Sequence, residues 1–182
     1  MRAYFAILIF AVAVLVARGQ EPSPAQNERS KDPHAGCPMH KSHAHDESAT
    51  PAVTARGAQG MGFSQTATTH HFLLKANRGA ILVEANDPAD TVSRDIRMHL
   101  SHIAKAFANG DFAIPMFVHD TVPPGVLVMK EMSGKITYKF EETPAGGRVD
   151  IVTTDPKGLA AVQQFLRFQI AEHKTRDSTA VH

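Results

Sequence analysis

The stretch Thr69–Ala85, THHFLLKANRGAILVEA, decides the fold of this chain. Residues 69–75 and 80–85 are two apolar runs of strand length. The residues between them include Asn and Gly, which tolerate the positive φ of a tight turn. The stretch therefore predicts a β-hairpin. His70 should share the helix-facing side with Phe72, and His71 should point the other way, because side chains alternate along a strand.

A helix is predicted directly after this hairpin. Asn-Asp-Pro at 86–88 ends the second strand, and Asp90 or Thr91 can cap the helix that follows. Apolar residues then recur at the spacing of one helix face: Val92, Ile96, Leu100, Ile103 and Phe107. The hairpin and this helix, over 92–108, make a ββα unit.

The same order of elements returns later in the chain. Residues 135–142 and 148–153 are strand-like, a turn joins them, and a helix is predicted over 158–173. Gly79 aligns with Gly147. The repeat predicts an α+β fold, in which a duplicated ββα unit forms an antiparallel sheet with two helices on one face.

Two further expectations concern the core and the connection. Phe72 aligns with Phe140, so both rings are expected to be buried. Between the two copies, residues 112–130 contain three prolines and predict a long crossing segment with a short strand over 116–119. Irregular connections of this length inside a compact domain often carry function.

The N-terminus has the pattern of an export signal. Arg2 precedes a short apolar run, Ala3–Ala17, and Ala17-Arg18-Gly19 suits a signal peptidase. We expect residues 1–19 to be a signal peptide, 20–59 a disordered His-rich tail, 60–176 the two-layer α+β domain and 177–182 a disordered C-terminus. The mature protein would be periplasmic or secreted, with no stable membrane insertion.

The composition excludes some partners and points to others. The formal net charge is +1 and no basic stripe is present, so nucleic acid is not an expected partner. The single cysteine, Cys37, excludes an intramolecular disulfide. The eleven histidines are the most informative residues, because imidazole is the commonest protein metal ligand.

The tail contains a dense group of side chains that bind metals, namely Cys37, Met39, His40, His43 and His45. Sulfur ligands favour Cu(I), while imidazole suits copper and zinc. The residues Cys37-Pro-Met-His40 resemble the Cys-Pro-Met-His element of heavy-metal-binding segments in bacterial copper-transport proteins. The resemblance implies copper binding. The alternative is a polar linker that happens to be rich in histidine.

A second candidate metal site lies in the domain. Its core would be His70, His99 and His102, with His119 or His71 completing it. His99 and His102 share a helix face, and the first strand directs His70 toward the helices. Neutral imidazoles with few carboxylates favour copper or zinc over calcium or magnesium.

The duplication shows which histidines the fold itself does not require. At the positions aligned with His70, His99 and His102 the second copy has other residues, namely Tyr138, Gln169 and Glu172. The ββα fold therefore does not itself require histidine at these three positions. His173 is expected to be structural, because a cationic imidazole at a helix C-terminus interacts favourably with the helix dipole.

Six segments carry a resemblance that covers nearly the whole domain. They are Met61–Gln65, Thr68–Phe72, Asn86–Pro88, Arg97–His102, Pro115–Asp120, and Phe165–Gln169 with the following His173. Together they resemble a largely uncharacterised family of exported bacterial proteins, which implies a shared fold. Some members carry an aspartate carbamoyltransferase label, but this short chain has no room for the two domains of that enzyme.

The sequence therefore predicts an exported metal-binding protein, with copper as the first candidate and zinc as the second. Three alternatives stay open: a module for non-covalent haem or another small ligand, a His-Asp hydrolase-like enzyme, and an interaction domain with structural histidines. In the enzyme, His119 and Asp120 would form the general-base pair. The chain has no nucleophile elbow, phosphate loop or zincin motif, so a binding protein is favoured.

Overall fold

The computed structural model describes residues 50–87 and 91–182. In chain order the elements are helix α1 (Pro51–Met61), strands β1 (Thr68–Lys75) and β2 (Arg78–Ala85), helices α2 (Val92–Ala108), α3 (Ala113–His119) and α4 (Val126–Glu131), strands β3 (Thr137–Thr143) and β4 (Gly146–Val152), and helix α5 (Pro156–His173). None of these helices, in the part of the chain described, is both long and apolar enough to cross a membrane. The predicted signal peptide lies outside the described residues.

The four strands form one antiparallel sheet in the order β1-β2-β4-β3. In the first hairpin Phe72 lies opposite Ile81, and in the second Phe140 lies opposite Val149. The two hairpins join through β2 and β4. Each hairpin is followed by a helix, so the predicted duplicated ββα unit and the α+β class are confirmed.

Both long helices lie on one face of the sheet, and each covers the hairpin of the other unit. Helix α2 packs mainly on β3 and β4, and α5 packs on β1 and β2. A Cβ added to Gly79 would lie 2.4 Å from Cδ1 of Leu166 in α5, and one added to Gly147 would lie 3.3 Å from Cδ1 of Leu100 in α2. Gly147 pairs with Val83, which shares a strand face with Gly79. The aligned glycines therefore let both helices approach the same face closely.

The two aligned phenylalanines differ in burial. Phe72 is 4 % exposed, as the sequence predicts. Phe140 is only partly buried and packs at the margin of the core, so the prediction for this residue is wrong. Strand β3 is an edge strand, and a residue on an edge strand has a neighbouring strand on one side alone.

The predicted strand over 116–119 is instead helical, as part of α3. Pro115 lies in the first turn of this helix, where backbone N–H groups have no intrahelical partner in any case. Oδ1 of Asp111 accepts a hydrogen bond from the N–H of Ala113 at the helix start. Asp120 ends the helix with a φ of 53°. These local features override the strand-like appearance of the apolar run.

Helix α1 occupies the end of the predicted disordered tail. The Thr50 hydroxyl accepts a hydrogen bond from the N–H of Val53, and Gly62 ends the helix with a φ of 82°. Nε of Arg56 donates to the carbonyl oxygen of Val118 at 2.8 Å, which ties α1 to α3. Residues 51–59 therefore belong to the domain, whereas residues 20–49 of the predicted tail lie outside the described residues.

The last residues of the chain run along the free edge of β1, where the sequence predicted disorder over 177–182. Oδ2 of Asp177 accepts a hydrogen bond from the N–H of Phe72 at 2.8 Å. The N–H of His182 donates to the carbonyl oxygen of Leu74, and its carbonyl oxygen accepts from the N–H of Ala76. The segment thus pairs backbone groups that an edge strand would otherwise expose.

Candidate functional site

Four imidazoles from four different elements line one cavity. They belong to His70 on β1, His99 on α2, His119 on α3 and His173 on α5, and we call them the histidine cluster. The rings of His70 and His173 are stacked with centroids 5.9 Å apart. The ring of His119 meets that of His173 edge to face at 5.1 Å.

The space behind the cluster, here called the apolar cavity, has a volume of about 70 Å³. Its walls include Met61, Phe72, Leu100, Ile103, Val118 and Phe165. Gln169 and the four imidazoles supply polar groups at its boundary. A mainly apolar cavity with a few converging polar groups is the usual form of a small-ligand site.

The tautomer of His119 is fixed by Gln169. Nε2 of His119 lies 3.0 Å from Oε1 of Gln169, and because a carboxamide oxygen can only accept, the ring proton is on Nε2. Nδ1 then carries a lone pair, and this atom is buried without a hydrogen-bond partner. Oε2 of Glu172 lies 4.0 Å from Nδ1, which is too far for a hydrogen bond.

His173 is the centre of the cluster. Its Nδ1 is hydrogen-bonded to the side-chain amide of Gln65, so a ligand could bind His173 through Nε2 alone. Burial, and after it the charges of the neighbouring His70 and His119, lower the pKa of His173 to about 3. The expected cationic imidazole at the helix terminus is therefore wrong, because the cost of burying the charge exceeds the benefit from the helix dipole.

The other imidazoles of the cluster are also neutral at neutral pH. Burial, and after it the charge of His99, lowers the pKa of His70 to about 4. Burial, and after it His102, lowers the pKa of His99 to about 4. Burial lowers the pKa of His119 as well, against the opposing effect of Gln169. Neutral imidazole is the form that binds metal ions.

Three buried polar atoms at the apolar cavity have no hydrogen-bond partner. They are Nε2 of His70, Nδ1 of His119 and Nε2 of Gln169. The large majority of buried side-chain polar atoms in folded proteins are paired, so each exception requires an explanation. A bound ion or molecule would supply the missing partners, and this is what the arrangement is suited to do.

The predicted core set of His70, His99 and His102 is not assembled into a metal site. The ring of Phe63 lies against both His70 and His99, and His102 is exposed on α2. Within residues 50–87 and 91–182, no group of three or more His, Cys, Asp or Glu side chains is arranged to hold a metal ion.

Two other predicted residues also lie away from the cluster. His71 points to the opposite face of the sheet, as its place in the strand predicts, and its Nδ1 lies 2.8 Å from Oδ1 of Asp177. Asp120 is exposed beyond α3, and Gln169 rather than Asp120 orients His119. The geometry therefore offers no His119–Asp120 general-base pair. The predicted tail ligands Cys37, Met39, His40, His43 and His45 lie outside the described residues.

Sequence reasoning missed three residues of this site: Gln65, Gln169 and His173. Gln169 and His173 are four residues apart, so they share one face of α5. This four-residue spacing is the sequence signal that could have identified the pair. Gln169 is buried, with 4 % of its surface exposed. Gln65 follows α1 in a short turn, and no local pattern marks it.

A second cavity, here called the threonine pocket, adjoins the cluster. It has a volume of about 270 Å³ and is lined by Thr54, Gln65, Thr66, Thr68, Thr69, His70, His173 and Thr175. His70 and His173 line both cavities. The two imidazoles therefore lie where an apolar space meets a polar one.

Comparisons of the chain with models of protein families, with curated proteins and with solved structures found no match. The resemblance to an exported family stays a prediction.

Proposed function

We propose that this domain binds a metal ion through His70, His119 and His173, with copper as the first candidate and zinc as the second. The observation that carries the proposal is the state of His119. Its Nε2–H donates to Gln169 and its Nδ1 lone pair is buried without a partner. Metal-binding histidines almost always donate their other ring N–H in this way, which fixes the tautomer and the ring orientation.

The spacing of the rings supports a shared ion. Two imidazoles on one ion, with metal–nitrogen bonds of about 2 Å, have ring centroids about 5–6 Å apart. The centroid of His173 lies 5.9 Å from that of His70 and 5.1 Å from that of His119. Because no three ligand side chains are already arranged around one point in the described residues, binding requires these rings to turn about their side-chain bonds.

The chemistry of the cavity favours copper. None of the described residues that line it has a carboxylate, and Oε2 of Glu172, 4.0 Å from Nδ1 of His119, could offset only one unit of an ion's charge. A singly charged ion is less costly to bury than a doubly charged one. The thioether of Met61 also lines the cavity and is a soft ligand of the kind that selects Cu(I).

The haem alternative has less support from the geometry. The apolar cavity, at about 70 Å³, is far smaller than the roughly 300–1,000 Å³ of pockets for drug-sized ligands. A single ion requires much less room than a macrocycle does.

An anaerobic Cu(I) titration of the full chain against a competing chelator tests the proposal. We expect His119→Gln to weaken the domain site at least tenfold, and Gln169→Leu to weaken it by about 10–100-fold through loss of the orienting hydrogen bond. His102→Gln is the matched control, because His102 is exposed on α2, and it should bind copper as the unmodified chain does.

A second set of variants separates the domain from the tail. Cys37→Ser should weaken copper uptake by the tail and leave the His119-dependent site intact. If His119→Gln and His173→Gln bind copper normally while Cys37→Ser loses all binding, the metal belongs to the tail and the domain site is refuted. The same titration with Zn²⁺ ranks the two metals.

A further inference from the structure

The apolar cavity and the threonine pocket meet at two shared side chains, His70 and His173. One space is walled by aliphatic and aromatic groups, and the other is rich in hydroxyl groups. A molecule that filled both would need an apolar part and a polar part. The two adjoining spaces therefore suit an amphipathic molecule, whereas a metal ion would not need both of them.

We infer that the two cavities together bind a neutral amphipathic small molecule, a phenol or a branched alcohol, with its ring or alkyl group in the apolar cavity and its hydroxyl beside His70 and His173. The inference does not rest on the metal proposal. It rests on the walls of the two spaces and on buried polar atoms that have no partner in the protein.

The unpaired atoms favour a hydroxyl group. Nε2 of His70, which lines both cavities, donates or accepts according to the tautomer of its ring, whereas Oε1 of Gln65 in the threonine pocket is an acceptor that requires a donor, and both atoms are buried without a partner. A hydroxyl group is both a donor and an acceptor, so it can pair with either kind of atom. Thr54 adds a half-buried hydroxyl on the polar side, and among the described residues its side chain makes no hydrogen bond.

The lack of charged side chains around the two cavities disfavours an anion as the ligand. None of the described residues that line the two cavities is Lys, Arg, Asp or Glu. A carboxylate would therefore enter an apolar environment without a countercharge, which is strongly unfavourable. A neutral hydroxyl group loses much less free energy on the same transfer.

The test uses the metal-free full chain in the presence of a chelator, so its outcome is separate from that of the copper titration. Phenol and benzoate are titrated near neutral pH, and the methyl signals of Met61 and Thr54 are followed by NMR. We expect phenol to shift both signals in a saturable way, and benzoate at the same concentrations to leave them unchanged.

Two variants and one control make the inference falsifiable. Thr54→Val removes the hydroxyl at nearly constant shape and should weaken phenol binding about fivefold. Ile114→Phe, at a half-buried wall position, should fill the apolar cavity and weaken binding at least about tenfold. Thr137→Val, an exposed threonine on the distant edge strand β3, should leave binding unchanged.

The inference is overturned by any of three results. Phenol could leave the Met61 and Thr54 signals unshifted, benzoate could bind as well as phenol does, or Ile114→Phe could bind phenol with unchanged affinity. The dispersion of the methyl spectrum reports whether each variant is folded, so a loss of binding cannot be confused with a loss of structure.

Discussion

Acid should destabilise this protein through two histidines of the histidine cluster. Burial lowers the pKa of His70 from 6.5 to about 4 and that of His173 from 6.5 to about 3. Below pH 6.5 the unfolded chain therefore binds protons that the folded chain does not accept, and the free energy of unfolding falls as the pH decreases. The loss begins near pH 6.5 and continues to about pH 4 for His70 and to about pH 3 for His173. Above pH 6.5 neither state binds these protons, so the two histidines give no slope there.

The size of the effect follows from the same pKa values. A proton bound by the unfolded state alone changes the free energy of unfolding by about 1.4 kcal/mol per pH unit. Between pH 6.5 and about pH 5 each of these imidazoles therefore costs about 2 kcal/mol, and the pair costs about 4 kcal/mol. Small domains have total stabilities of about 5–15 kcal/mol, so this is a large fraction.

Urea unfolding followed by circular dichroism, at about pH 7.5 and about pH 5, measures the loss. We expect His70→Gln and His173→Gln each to reduce the difference between the two pH values by about 2 kcal/mol. His102→Gln, at an exposed position on α2, is the matched control and should leave the difference unchanged. Carboxylates titrate equally in all four proteins and cancel in the comparison. If His70→Gln and His173→Gln each lose as much free energy of unfolding between the two pH values as the unmodified chain does, the reasoning is refuted.

Three further predictions concern the fold, each measured as a change in the free energy of urea unfolding. Phe72→Ala should cost about 3–5 kcal/mol, whereas Phe140→Ala should cost clearly less, because Phe140 is only partly buried. Gly125→Ala should cost more than about 2 kcal/mol, since Gly125 has a φ of 87° and a Cβ there would lie 2.1 Å from the carbonyl oxygen of Ala161. Asp177→Ala should cost about 1–3 kcal/mol, because this carboxylate accepts hydrogen bonds from His71, Phe72 and Thr175. Equal costs for the two phenylalanines, or no cost at Gly125 or Asp177, would contradict these contacts.

Most of the fold could be predicted from local patterns. The two hairpins and their helices follow from alternation, turn residues and helical spacing, and these signals lie within each segment. The sequence around Pro115 wrongly predicts a strand, because a proline in a first helical turn looks the same in sequence as one that ends a strand. Helix α1 had a recognisable start at Thr50-Pro51 and a recognisable end at Gly62, but the polar composition before it obscured both.

The candidate site could be predicted only in part. The alternation in β1 correctly separates His70 from His71, because it depends on local geometry alone. The role of His173 could not be found in the same way. Its low pKa depends on burial and, after it, on the charges of His70 and His119, which are distant in sequence. The role of Gln169 is equally hard to predict from sequence, because its hydrogen-bond partner, His119, is fifty residues away.

The way the two copies pack explains which histidines meet. A ββα unit whose helix covered its own hairpin would place His99 and His102 of α2 beside His70 of β1, and this is the set that the sequence predicts. In the structure α5 covers β1 and β2, while α2 covers β3 and β4. The exchange brings His173 of the second unit onto His70 of the first. A site at this position therefore requires both copies, and a single ββα unit could not form it.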